Sequence, residues 1–148
     1  MDLVWYRRFR AGGGSQAFVA WETSEGTLNF ESAAAPARTA KAVADLVGVD
    51  LPESSARMLN NVVHWTTGIG WGKAHGIAAA LVGTSQPLLG IVTAVGAWAT
   101  SYALLPRLGV YKPMREYDRE VLWQDLSAHL AFGAVLGITY RLVAGKAH

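Results

Sequence analysis

The stretch from Ala74 to Pro106 contains no Lys, Arg, Asp or Glu. A water-soluble fold rarely carries so long an uncharged run, because each of its helices presents a polar face to water. Two membrane helices joined by a tight turn ordinarily have this composition. The whole chain agrees, because 51% of its residues are hydrophobic and only 16% are charged, against about a quarter in a typical soluble domain. We therefore expect an all-α, polytopic membrane helix bundle.

The bundle is predicted to occupy residues 58–148 and to contain three membrane spans, at residues 59–82, 88–105 and 120–143. At about 1.5 Å per residue each helix can cross a hydrocarbon core of about 30 Å, the second only just. The first helix is expected to begin at Asp50, because Glu53 follows at the spacing of a capping box. The segment from Gly83 to Pro87 has the composition of a turn.

Two further segments precede the bundle. Residues 1–10 are apolar to Tyr6 and then rich in arginine, which predicts either the end of a membrane helix or an interfacial anchor. The first alternative implies a further N-terminal span that this chain lacks. Residues 11–57 predict a small polar region with a short amphipathic helix between Pro36 and Gly48, lying on the membrane surface or packing within its own domain.

The basic residues predict the orientation. Of the 13 Lys and Arg residues, all except Lys73, Arg141 and Lys146 fall in residues 7–57 or 107–119. Because basic residues concentrate in cytoplasmic loops, the polar N-terminal region is expected in the cytoplasm and the C-terminus outside. The predicted location is the bacterial inner membrane, with the lipid bilayer as the principal partner.

Glycines at four-residue (GxxxG) spacing mark candidate helix-packing faces. They are Gly68, Gly72 and Gly76 in the first span and Gly133 and Gly137 in the third, while the second span carries Gly90, Ala94 and Ala97. Small residues at this interval let two helices approach closely and gain dispersion contacts that lipid does not offer. The contact is expected either within the chain or with a second copy in a homo-oligomer.

Five ionisable residues within the predicted spans are candidate functional groups: His64, Lys73, His75, Asp125 and His129. Such groups are costly at membrane depth and usually face the bundle interior, water or headgroups. Asp125 and His129 are four residues apart, which suits either a structural pair or a proton relay. His64 and His75 share a helix face but lie about 16 Å apart along the axis, so one metal ion cannot reach both.

Several functional classes are unfavourable. The absence of cysteine excludes disulfides, thiolate nucleophiles and Cys-based metal sites. No nucleophile elbow or phosphate-binding loop is present, and we identify no catalytic, metal or cofactor site. A net charge of +2, without a basic and aromatic surface, does not favour nucleic acid as a partner.

A dispersed set of aromatic, glycine and histidine positions resembles a family of uncharacterised bacterial inner-membrane proteins, the YagU family. The positions are His64, Trp65, Gly68, Gly70, Trp71, Gly72, Gly96, Ala97, Trp98, Tyr102, Leu105, Pro106, Leu108, Gly109, Trp123, His129 and Gly133. The resemblance covers about residues 60–140. It implies a helical, polytopic protein with a further N-terminal span and without an assigned reaction.

Three functions fit the sequence. The first is a non-enzymatic membrane protein that acts as a structural or accessory subunit, either as an oligomer or within a larger membrane complex. The second is transport of protons, ions or small solutes through the intramembrane His and Lys residues. The third is a soluble helical module that binds an apolar ligand or a partner helix.

Overall fold

The computed structural model describes residues 2–15, 17, 29–82 and 85–144, and these ranges contain helices and loops but no strand. The helices are α1 (Asp2–Ala11), α2 (Ala35–Leu46), α3 (Ala56–Leu81), α4 (Gln86–Leu104) and α5 (Arg119–Ala144). Short 3-10 turns occupy Glu53–Ser55, Leu105–Leu108 and Met114–Glu116. The all-α prediction is confirmed for this part of the chain. Residues 83 and 84 of the predicted turn, residues 16 and 18–28 of the predicted polar region, and residues 145–148 lie outside it.

Two helices in the described ranges, rather than the three predicted, are long and apolar enough to cross a membrane. They are Gln86–Leu108, which is α4 with its following turn, and Arg119–Ala144, which is α5. The span predicted at 59–82 does form a helix, α3, but it does not reach the same hydropathy. The reason is its polar content, which comprises Asn60, Asn61, His64, Lys73 and His75.

Helices α4 and α5 approach each other at backbone contact. A Cβ added at Gly133 would overlap the carbonyl oxygen of Gly90 and come within 2.7 Å of the Cβ of Ala94. A Cβ at Gly137 would lie 2.7 Å from the carbonyl oxygen of Gln86. Only glycine leaves room for this crossing, which fixes the two apolar helices side by side.

Helix α2 forms a small cap on the start of α3. Phe30, Ala33, Ala37 and Ala56 are buried together, with Leu51 and Leu59 partly buried against them. A proline in its first turn starts α2 without losing a hydrogen bond, and Gly48, with φ of +71°, ends it in the left-handed conformation that glycine adopts freely.

The start of α3 differs from the prediction. The helix begins at Ala56 after a 3-10 turn, and Ser55 at its N-cap makes no side-chain capping bond. The Glu53 carboxylate instead accepts a hydrogen bond from the backbone N–H of Phe30, at 2.8 Å. A long-range contact therefore replaces the predicted capping box at Asp50.

Two contacts at opposite levels join α3 and its α2 cap to the apolar pair. At the start, the Arg38 guanidinium in α2 donates a hydrogen bond to the carbonyl oxygen of Val110, in the loop between α4 and α5. Towards the other end, His75 in α3 contacts Thr93 in α4. Helix α3 therefore runs alongside the α4–α5 pair.

Candidate functional site

His75 has the least exposed large side chain in the described ranges, with 1% of its surface accessible. Its Nδ1 lies 3.0 Å from the hydroxyl oxygen of Thr93 in α4. Its ring meets the edge of Tyr140 in α5, with centroids 5.5 Å apart and planes at 76°. One side chain of α3 thus contacts both α4 and α5.

The hydrogen bonds around Thr93 indicate the tautomer of a neutral His75. The Thr93 hydroxyl donates to the carbonyl oxygen of Leu89, at 2.9 Å, so its oxygen is free to accept from the Nδ1–H of His75. The lone pair of a neutral imidazole then resides on Nε2. This atom is buried and has no hydrogen-bond partner among the described residues.

Asp125 and His129 form a second polar group, one turn apart on α5. The His129 Nδ1 lies 3.6 Å from a carboxylate oxygen of Asp125 and 3.0 Å from the backbone carbonyl oxygen of the same residue. Both side chains are mostly buried, with 12% of His129 and 14% of Asp125 exposed. In the described part of the chain, the second carboxylate oxygen, Oδ2, has no hydrogen-bond partner.

An aromatic cluster closes the same end of the α4–α5 pair as Asp125. The ring of Tyr102 lies 5.2 Å from that of Tyr111, 5.4 Å from that of Tyr117 and 5.3 Å from that of Trp98, measured between centroids. Burial raises the pKa of the Tyr111 hydroxyl to about 12, and the negative charge of Asp125 adds to the shift. The rings pack on one another and fasten the loop after α4 to the pair.

The described contacts bring two of the five ionisable candidates together and pair a third with a different residue. Asp125 contacts His129, whereas His75 is paired with Thr93 on another helix. Lys73 is exposed and His64 is partly buried.

Two shallow cavities stand out in the described region, and none of these five residues lines either of them. One, of about 240 Å³, lies between α2 and the loop after α4, and the other, of about 300 Å³, lies beside Pro87 and Gly137. The described residues contain no group of three or more His, Asp or Glu side chains that could hold a metal ion.

The predicted packing glycines occupy two different environments. Gly133 and Gly137 lie in the α4–α5 crossing, and Gly76 faces the Tyr140 ring, which its Cβ would meet at 3.7 Å. A Cβ at Gly68 or at Gly72 would meet no other described atom within 4 Å.

Sequence reasoning missed the partners that position the polar candidates. Thr93 gave one usable signal, because it is a hydroxyl residue in the middle of an uncharged helix. Nothing local in the sequence links it to His75, 18 positions away. The association of Tyr111 and Tyr117 with Tyr102 likewise depends on how the loop folds back.

Comparison of the chain with protein-family models, with curated proteins and with solved structures finds no match.

Proposed function

We propose that this protein is a small, non-enzymatic integral membrane protein that serves as a structural or accessory subunit. The observation that carries the proposal is the glycine crossing of α4 and α5, combined with the apolar outer faces of both helices. In this proposal α3 also crosses the bilayer, as the polar member of a three-helix bundle, and α2 caps the cytoplasmic end.

Exposed apolar side chains support membrane insertion. Only 33% of the most apolar window of α4 and 17% of that of α5 are buried. The outward-facing residues include Ile91, Val92, Val95, Val135 and Ile138. In water so extended an apolar surface would drive association, whereas in a bilayer lipid chains cover it.

The glycine crossing between α4 and α5 also supports membrane insertion. The hydrophobic effect does not draw helices together within lipid, so close packing at small residues supplies much of their association. The contact at Gly90 and Gly133 is of that kind. The open glycines on α3, Gly68 and Gly72, leave a surface on which another helix of a larger complex, or a second copy, would fit.

The contacts of the buried polar side chains favour the accessory role over transport. His75 takes part in helix contact, and His129 pairs with Asp125 one turn away. A proton path would need these groups to be linked through water or further side chains. The bacterial inner-membrane location, the cytoplasmic N-terminal region and the resemblance to the YagU family remain predictions.

Membrane insertion is tested by alkaline extraction of membranes from cells that produce the full chain. We expect the protein to stay in the pellet at high pH and to leave it only with detergent. Release into the alkaline supernatant would contradict the proposal and would favour the soluble binding module.

Topology is tested with single cysteines, because the natural chain has none. We expect an impermeant maleimide to label Arg141→Cys in intact cells and to label Ser54→Cys and Lys112→Cys only after lysis. Val95→Cys, at the lipid-facing side of α4, is the control that stays unlabelled in both. Labelling of Ser54→Cys and Arg141→Cys from the same side would show that α3 does not cross together with α4 and α5.

The accessory role is separated from transport with liposomes that contain the purified protein. We expect a pH gradient to decay no faster than in empty liposomes. A leak that disappears in His129→Ala or His75→Ala would overturn the accessory role in favour of proton transport.

A further inference from the structure

We infer that this protein carries an acid-sensitive latch: protonation of His75 releases α3 from the α4–α5 pair. This goes beyond the proposed function, because it concerns the contact between helices and not the membrane itself. The inference rests on the position of His75, on its surroundings and on the unequal contacts of α3.

The neutral form of His75 fits its site. Its Nδ1–H has an acceptor in Thr93, and its ring packs against Tyr140. A proton taken up from solution would bind at Nε2 and turn this acceptor into a charged donor. No described residue offers an oxygen to that donor, so the charge would be buried without compensation.

The groups around His75 do not counter a positive charge. Helix α4 contains no Lys, Arg, Asp or Glu at all. Helix α5 presents Tyr140, a neutral phenol, and the next residue, Arg141, is an exposed cation. On α3 itself the nearest charged residue is Lys73, which is also exposed and positive. If α3 separated from α4 and α5, water would reach the ring and solvate its positive charge. Protonation of His75 therefore favours separation of the helices.

Helix α3 packs less closely against α4 than α5 does. Helices α4 and α5 are held at backbone contact by Gly90 and Gly133. At Gly68 and Gly72 of α3, by contrast, an added Cβ would meet no atom of another described element, and the contacts of α3 with α4 include His75 and Trp71, whose ring a Cβ at Gly96 would reach at 3.9 Å. Loss of the His75 contact therefore weakens the looser of the two helix contacts in the bundle.

The latch also has a defined side. His75 lies near the end of α3, Thr93 near the start of α4 and Tyr140 near the end of α5. In the proposed topology this is the outer end of the bundle, so the acid that opens it comes from outside the cell.

The test measures distances between spin labels on the full chain in lipid nanodiscs, at pH 7.5 and at pH 4.5. Ile77→Cys on α3 and Ile91→Cys on α4, both exposed, report the latch. Ile91→Cys and Val135→Cys report the α4–α5 pair as a reference. We expect the α3–α4 distance to widen in acid by roughly 5 Å, half of an interhelical spacing, and the reference distance to stay constant.

Two variants assign any change to His75. His75→Asn keeps an amide N–H near the position of Nδ1 and cannot be protonated, so we expect it to abolish the acid response. His75→Phe keeps the ring contact with Tyr140 and serves the same purpose if the amide is not tolerated. His129→Asn is the matched control and should respond as the natural protein does.

An unchanged α3–α4 distance in the natural protein at pH 4.5 would overturn the latch, and so would a response that persists in both His75 variants. Either result would leave the membrane proposal intact, because alkaline extraction and cysteine labelling test that separately.

Discussion

The α4–α5 pair and α3 show two ways in which a helix can belong to the same bundle. The pair is apolar on its outer faces and meets at glycine, so the backbones of Gly90 and Gly133 are in contact. Helix α3 is more polar, an added Cβ at its Gly68 or Gly72 would meet no other described element, and it contacts the pair through the buried side chain of His75. The difference leads us to expect that the pair contributes more to the stability of the bundle than the packing of α3 does.

The largest expected effect comes from filling the crossing. Gly133→Ala places a methyl group against the backbone of Gly90, which cannot move aside without separating the helices, and should lower the free energy of unfolding by about 3 kcal/mol. Gly72→Ala is the matched control, because its methyl group has no described neighbour, and it should stabilise by up to about 1 kcal/mol through helix propensity. Detergent-based unfolding titrations measure both variants. If Gly133→Ala and Gly72→Ala lowered the free energy of unfolding equally, the two regions would not differ in packing as described.

A pH dependence tests the aromatic end of the pair. Because the pKa of Tyr111 is raised from 10.0 to about 12, the unfolded chain loses the phenolic proton between these pH values while the folded chain keeps it. The folded state then binds more protons, so the free energy of unfolding should fall by about 2 kcal/mol as the pH rises from 10 to 12. Tyr111→Phe should show a smaller fall, and an identical slope would contradict burial of this hydroxyl.

Overfilling the cap that α2 forms on α3 should lower the stability of the protein moderately. Ala37 is fully buried against Ala56 and its neighbours, so Ala37→Leu overfills the cap and should cost about 2 kcal/mol. Ala74→Leu, on an exposed position of α3, should be nearly neutral. Circular dichroism and thermal unfolding of both variants give the measurement. Similar melting temperatures would mean that α2 contributes little to holding α3.

The smallest effect is expected at the hydrogen bond of His75. Thr93→Val preserves the shape of the side chain and removes the acceptor, which should cost about 1 kcal/mol. Thr100→Val, an exposed position on the same helix, is the control. A cost no larger than that of the control would show that α3 and α4 are held by other contacts.

The sequence predicted the helices well and their partnerships poorly. The uncharged run and the spacing of apolar residues located α3, α4 and α5 to within a few residues. The length of α3 matched a membrane span, so the helix was predicted to be one. Its mean hydropathy is lower than that of α4 and α5, because it contains Asn60, Lys73 and His75 among its glycines and alanines. The start of α3 shifted to Ala56 because Glu53 bonds to distant Phe30, a contact that no local pattern encodes.

In the candidate site, too, contacts within one helix could be predicted and contacts between helices could not. The spacing of Asp125 and His129 predicted that they lie together, because four residues make one helical turn. The burial of His75 depends on which face of α3 meets α4, and on Thr93 and Tyr140, so it could not be read from one helix.

The hydrogen bonds of Arg8 have a consequence for biosynthesis. Its guanidinium, in α1, donates to the carbonyl oxygen of Gln124, at 2.7 Å, and to the hydroxyl of Ser127, both in α5 and separated from it by 116 and 119 positions. Helix α1 therefore cannot make these hydrogen bonds until α5 has been translated. Until then the Arg8 guanidinium needs other hydrogen-bond acceptors, so this contact belongs to the late steps of folding.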